Sequence, residues 1–303
     1  MKIIDAHIHL VERIAGFCRR GELRAIGDGK ARWANGDIMD LIPSGYGDKD
    51  FTTEALIRFM DDNSIDKAVL MQGSLYGFQN EYTYEACIKY PERLKGACTV
   101  DPFAENALEV LNRLVNKLNF KIIKLEVSSG GGLMGYHDKF SIDGEKMSKI
   151  WEVANNNNLT MVLDIGDHTM NSYQPEAIRN MALKYPNLKI VVCHLTAPSA
   201  GDEDKLKNTL EILNLPNISF DLAALPLINA PEKYPFLQTQ NFIKIAKKIV
   251  GTNKLIFGSD SPMAAKLNSY KEISNYLIES NIFTQKELED IFYNNAFKVY
   301  FEN

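Results

Sequence analysis

The sequence predicts an α/β fold, a single (β/α)8 TIM barrel over residues 1–303 with a long connection after its first strand. Three observations predict it. Eight short apolar runs recur along the chain, most of them followed by a helical pattern. Strands that alternate with helices pair in parallel through crossovers. Eight such units in 303 residues suit a closed barrel, with a doubly wound open sheet as the runner-up. Several of the runs also end on a histidine or an aspartate, and in a barrel those strand ends converge.

The strand candidates are Lys2–Ile8, Lys67–Met71, Leu94–Val100, Lys121–Val127, Leu159–Asp164, Lys189–His194, Ile218–Leu222 and Lys254–Gly258. Helical spacing is read at Thr53–Asn63, Glu81–Tyr90, Ala104–Leu118, Gly144–Asn156, Pro175–Tyr185, Glu203–Leu213, Gln238–Val250 and Lys271–Glu279. No linker or low-complexity segment divides the chain, and Asn155–Asn158 reads as a helix end.

The first strand carries Asp5-Ala6-His7-Ile8-His9. Alternation puts His7 and His9 on one face, with Asp5 behind them on that face. Two imidazoles side by side at a strand end are a divalent-metal pattern. The connection that follows, Val11–Asp50, holds Gly16, Gly21, Gly27, Gly29, Gly36, Gly45 and Gly47 without sustained periodicity. It reads as a long functional loop above the active-site end of the barrel. Its arginines, Arg13, Arg19, Arg20, Arg24 and Arg32, face an anionic substrate in one reading. Interspersed acids favour the other, solvated surface charge.

The fourth strand places Lys124 and Glu126 on one face by period two, pointing into the barrel, while Ile123, Leu125 and Val127 face the helices. The pair either closes a buried salt bridge or leaves Lys124 to hold a substrate carboxylate. Gly130-Gly131-Gly132-Leu133-Met134-Gly135 contains G-x-G-x-x-G, but no helix opens at once, so nucleotide binding is rejected. With Tyr136 and His137 this stretch reads as a mobile loop over the site. The fifth strand ends at Asp164, the sixth at His194 and the eighth at Asp260.

Composition narrows the class. The chain is 45% hydrophobic and 24% charged, as soluble globular proteins are, with a net charge of −5. No basic patch dominates, so nucleic acid is excluded as a partner. Cys18, Cys87, Cys98 and Cys193 form no C-x-x-C, and Cys98 and Cys193, in strand-like runs, read as buried thiols rather than disulfides or zinc ligands. Asp5, His7 and His9 interrupt the N-terminal apolar run, and no run approaches a membrane span. The expectation is a cytoplasmic enzyme with no membrane partner; a homodimer is compatible with the sequence.

These residues resemble the amidohydrolase superfamily, in particular its amidohydrolase-2 branch of metal-dependent TIM-barrel hydrolases and decarboxylases. The resemblance rests on Ile4–His9, Ile123-Lys124-Leu125, Ile190–Leu195, Ile256–Pro262 and Asn295-Ala296, and covers nearly the whole chain. It implies one divalent ion, Zn2+ or Mn2+, on His7 and His9, with Asp260 as ligand and proton shuttle and His194 as an active-site histidine. Many relatives end the fifth strand with a metal-binding histidine. Here Asp164 stands at that position as a candidate oxygen ligand of the ion, with His168 as the nearby alternative, or with neither binding and the metal weak or dispensable. An aspartate there looks more like the lactone hydrolases of the branch.

The expected activity is therefore metal-dependent hydrolysis of a small, carboxylated lactone or other cyclic ester or amide. Asp260 would act as general base and His194 as oxyanion donor, with Lys124, Glu126, His168 and Tyr136 against the substrate. The alternative is a non-oxidative decarboxylase of an aromatic or unsaturated carboxylic acid. A barrel retained only for binding is a third reading, weakened by the complete set of His7, His9, His194 and Asp260.

Overall fold

The structure, a computed structural model, describes residues 1–302. It opens with β1 (Ile4–His9) and continues through four short strands, β2 (Phe17–Cys18), β3 (Gly21–Gly27), β4 (Lys30–Trp33) and β5 (Ile38–Asp40). After them come β6 (Lys67–Met71), β7 (Leu94–Cys98), β8 (Ile122–Glu126), β9 (Thr160–Asp164), β10 (Lys189–Val192), β11 (Ile218–Asp221) and β12 (Leu255–Ile256). β1 and β6–β12 form one eight-stranded parallel sheet in chain order, with a helix or helices in each connection. This is a (β/α)8 TIM barrel.

The barrel closes between its last and first strands. Ala6 N–H donates to Phe257 O at 3.1 Å, Asp260 N–H to His7 O at 2.8 Å and His9 N–H to Ser261 O at 2.7 Å. Most of this seam lies beyond β12 itself, so the segment carrying Asp260 is stitched directly to the strand carrying both N-terminal histidines. Gly258 is required there, because a Cβ at that position would sit 2.7 Å from His7 Cβ.

Strand alternation divides the core into two shells. Ile4, Ala6, Val69, Ala97, Ile122, Val162, Val191 and Ile256 fill the barrel interior, and Tyr300 joins them. Ile123, Leu125, Leu163, Ile190, Val192 and Phe220 pack outward with the helices. Burial on both faces is what parallel strands require.

Two expectations are corrected. In β1 the register against β6 shifts between Asp5 and Ile8, as a bulge does. Ile4 and Ala6 therefore face the interior, and after the shift His7 and His9 do. Asp5 does not share their face: its Oδ1 accepts from Ser259 N–H at 2.9 Å and from His7 N–H at 3.2 Å. The second concerns Val11–Asp50, which is not an irregular loop. It folds into a four-stranded antiparallel sheet, β2-β3-β4-β5, whose Leu23, Ala31 and Trp33 join the outer core. Asp28 (φ 55°) and Gly29 (φ 66°) turn the β3–β4 hairpin in the left-handed region that a two-residue turn demands.

Candidate active site

The C-terminal ends of the strands surround a cavity of about 200 Å³. His7, His9, Gly73, Tyr76, Lys124, Glu126, Asp164, His194 and Asp260 are among the residues that line it. A larger cavity of about 740 Å³ opens among the starts of β7–β10, at the opposite end of the barrel from the clustered histidines.

His7 is 1% exposed, and its Nδ1–H donates to Asp221 Oδ2 at 3.0 Å. Burial pulls the ring below its usual pKa even beside Asp221, so it is neutral and Nε2 carries a lone pair. His9 Nδ1 lies 3.1 Å from Met71 O, a carbonyl that can only accept, so Nδ1–H donates to it and fixes where Nε2 points. That Nε2 faces Asp260 Oδ1 at 2.9 Å, and His7 Nε2 faces the same oxygen at 3.6 Å. Burial opposes the charge on Asp260, but the hydrogen bond with His9 and the charge of His194 outweigh burial and hold its carboxyl below the usual carboxylate value. The two Nε2 atoms and the carboxylate oxygen lie within 4.8 Å of one another and form a donor set that suits a divalent cation, which would take the place of the proton between His9 and Asp260. Asp221 and the Met71 carbonyl orient the two rings from behind, as outer partners of metal-binding histidines do.

His194 is positioned differently. β10 ends in a run of left-handed residues, His194 (φ 57°), Leu195 (φ 50°), Thr196 (φ 66°) and Ala197 (φ 51°), which turns the His194 ring into the barrel mouth. Each such residue costs about 1–2 kcal/mol. Asp221 Oδ1 anchors the turn by accepting from His194 N–H at 2.7 Å and from Ala223 N–H at 3.1 Å. His194 Nδ1 lies 3.0 Å from Ala223 O, and Nε2 lies 3.5 Å from Asp164 Oδ2. Burial works against its charge, but Asp164, Asp221 and Asp260 outweigh burial and push the imidazolium up to about 10. His194 is thus a cationic donor in the metal-free protein. His7, Cys193 and His194 also converge. That set suits a cation poorly, since His194 is charged and burial pushes the Cys193 thiol well up.

Asp164 faces the cavity within reach of His194 but belongs to neither metal-donor set, so the structure pairs it with His194 and not with a metal ligand's place beside His7 and His9. Lys124 lines the cavity and is 2% exposed, with no carboxylate oxygen within 4.0 Å of its Nζ among the described residues. The Lys124–Glu126 salt bridge is therefore not formed. Burial opposes the charge on Lys124, but Cys193, Asp164, Glu126 and Asp221 outweigh it and push the ammonium up to about 12. Glu126 Oε2 accepts instead from Ser74 N–H at 2.8 Å. Burial raises its carboxyl above the usual value.

Two sequence candidates lie elsewhere. His168 does not reach back to the centre: the chain turns at Gly166 (φ 69°), and His168 Nδ1 sits 3.3 Å from Asp202 Oδ1. Tyr136 packs against Phe17 and His137, at ring separations of 5.8 and 4.7 Å, and is not among the cavity-lining residues. The arginines of the first connection are all exposed. Asp221 and Tyr76 escaped the sequence reading. Asp221 ends β11 as Asp164 ends β9, a signal that was present; Tyr76 stands in a connection with no such signal.

Fold and site together define a barrel protein with a histidine–carboxylate centre at the C-terminal ends of its strands. The chain belongs to the amidohydrolase family, whose model matches residues 4–301. No curated protein sequence matches it. Among solved structures it is similar to a probable 2-pyrone-4,6-dicarboxylic acid hydrolase from Acinetobacter baumannii with citric acid bound (18% identity, 99% of each chain, TM-score 0.69). It is similar to an amidohydrolase from Burkholderia multivorans with bound zinc (15%, 100% of each chain, TM-score 0.73). It also resembles a 2,6-dihydroxybenzoate decarboxylase from Rhizobium (14%, 80% of this chain and 86% of that one, TM-score 0.59). At these identities the likenesses bear on the fold. Among the described residues, no helix is long and apolar enough to cross a membrane.

Proposed function

We propose that this amidohydrolase-family enzyme is a metal-dependent hydrolase of a small, carboxylated lactone or other cyclic ester or amide. The observation that carries the reading is Asp260. It is an ionised carboxylate held between His7 and His9, opposite a cationic His194.

His7 Nε2, His9 Nε2 and Asp260 would hold one divalent ion, Zn2+ or Mn2+. Such an ion supplies an activated water and a polarised carbonyl. Asp260 takes the proton from the attacking water and delivers it to the leaving oxygen or nitrogen. His194, fixed by Asp221 and Ala223, donates from Nε2 to the developing oxyanion. Asp164 keeps His194 protonated and so preserves that donor.

Product analysis tests the reading. With a panel of lactones and unsaturated carboxylic acids in ¹⁸O-labelled water, hydrolysis places label in the new carboxylate and releases no carbon dioxide. Carbon dioxide release with solvent deuterium on carbon would overturn it in favour of the decarboxylase.

A further inference from the structure

The side chains around the cavity are segregated. Its charged and imidazole groups stand at or just beyond the strand ends. Its aliphatic members, Leu75, Ala224, Leu227, Ile228 and Met263, come instead from the connections after β6, β11 and β12. In the closed barrel β11, β12, β1 and β6 are consecutive, so these five side chains occupy one continuous arc. β8 and β9, with Lys124, Glu126 and Asp164, lie across the barrel from its centre. His7, His9 and Asp260 belong to β1 and to the turn after β12, so the apolar wall stands on the side where the bond would break.

Local structure holds this wall in place. Ala224 (φ 59°) turns the chain after β11 into the short helix Leu225–Ile228, and Ile228 N–H donates to Ala224 O at 2.8 Å. Asn229 Nδ2 donates to Pro198 O at 3.1 Å, which ties that helix to the turn carrying His194. Leu225 and Pro226 are buried beneath it, and it packs against the helix Met263–Leu267. Leu75, Leu227, Ile228 and Met263 are only half-buried, so each keeps apolar surface open to a ligand. None of the five wall residues carries a hydroxyl, amide or charge. A hydrocarbon laid against them would leave water with them, whereas a hydroxyl would lose water and find no side-chain partner. At about 200 Å³ the cavity is also smaller than ordinary drug-sized pockets, which start near 300 Å³.

Resting on the hydrolase reading above for where the bond breaks, we propose that the substrate ring carries a short hydrocarbon substituent beside its scissile bond. Leu75, Leu227, Ile228 and Met263 hold that substituent, and polyhydroxylated lactones are disfavoured. Leu227 and Ile228 are specificity residues that select alkyl over hydroxylated rings.

Two series on the zinc-loaded protein test this. Calorimetry compares benzoate with its 3-methyl, 3-ethyl, 3-propyl and 3-hydroxymethyl derivatives, which cannot be hydrolysed. Turnover compares 2-pyrone-4-carboxylates with the same substituents on the ring carbon beside the ring oxygen. Affinity and kcat/KM are expected to rise by ~3-fold or more for each carbon added. Hydroxymethyl should fall at least ~10-fold below ethyl. Leu227→Asn and Ile228→Thr, close in shape to the originals, should flatten the rise and narrow the hydroxymethyl deficit. Ile228→Val should keep that deficit, and thermal unfolding of each variant separates lost recognition from lost fold. Pyrone hydrolysis indifferent to the substituent, equal preference for hydroxymethyl and ethyl, or a rise unchanged in both polar variants would overturn the inference and leave the hydrolase reading intact. No measurable binding of any benzoate, together with no hydrolysis of any pyrone, would overturn both. A rise in benzoate affinity that the polar variants flatten, with no hydrolysis of any pyrone, would uphold the wall and defeat the hydrolase reading.

Discussion

Asp221 and His7 are joined by a hydrogen bond of 3.0 Å in which neither residue is more than 1% exposed. The bond fixes the His7 tautomer, and the other Asp221 oxygen holds the His194 turn. One carboxylate therefore sets the direction of two of the three imidazoles. Asp221→Asn should lower zinc affinity by ~10–100-fold, the usual cost of losing such an outer partner. Competition with a chromophoric chelator measures it; unchanged affinity would remove Asp221 from the site's support.

The metal itself is the next expectation. Protein dialysed against zinc should retain about one ion per chain, at ~2.1 Å from the Nε2 atoms of His7 and His9. His9→Ala should lose that ion by elemental analysis, and chelation should abolish turnover. Zinc retained at full stoichiometry in His9→Ala would show that the ion lies elsewhere.

Asp260→Asn keeps the side-chain shape and removes the base. Its loss should fall on kcat by at least ~10²-fold, within the range of general-base effects. His194→Asn should cost a comparable ~10²–10³-fold through the lost oxyanion donor. A loss confined to KM in either variant would contradict these roles.

The His194–Asp164 pair makes a pH prediction for the metal-free protein. His194 is raised from 6.5 to about 10 in the fold, because Asp164, Asp221 and Asp260 outweigh burial. Its contribution is complete below the unfolded value of 6.5 and is lost as pH rises through 10. Asp164 is depressed although burial opposes its charge, with His194 and Lys124 holding it down. Its contribution is present above the unfolded value of 3.8 and lost as pH falls below that. Denaturant unfolding should therefore show stability declining from pH 6.5 towards 10, and Asp164→Asn should flatten that decline. An alkaline limb unaltered by the substitution would refute the pairing.

Strain in the turn after β10 can be relieved at one position. Ala197 (φ 51°) ends the left-handed run. Glycine there escapes a backbone cost of about 1–2 kcal/mol and adds about 0.5–1 kcal/mol of chain entropy to be lost on folding. Ala197→Gly should therefore stabilise the protein by about 0.5–1 kcal/mol in chemical denaturation. Destabilisation would mean that the methyl group packs better than its backbone is strained.

Much of the scaffold was readable because parallel strands buried on both faces leave continuous apolar runs, as at Lys67–Met71, where predicted and observed strands coincide. The period-two reading of Ile123, Lys124, Leu125 and Glu126 also matches the observed faces. Alternation failed in β1, because a register shift between Asp5 and Ile8 leaves no mark in a six-residue strand. The small sheet was missed although Asp28-Gly29 and Asn35-Gly36 are hairpin-turn dipeptides; the many other glycines masked them. His194 and Asp260 were found as strand ends, but their left-handed φ values of 57° and 64° arise from tertiary anchoring that no local pattern encodes. Tyr76 could not be found, since it reaches the cavity from the connection after β6, where no strand end or periodicity marks it.

The seam that closes the barrel also fixes the order of events during synthesis. His9 and Asp260 touch across 251 residues of sequence. A nascent chain exposes its histidine pair early, yet the carboxylate that completes the triad follows only when most of the protein has been made. Until then the ribosome-bound fragment offers two isolated imidazoles, a weak chelate open to water and to any passing ion. Selective metallation of the proposed centre would therefore await the last strand, and completion of the fold and loading of the centre would become a single checkpoint.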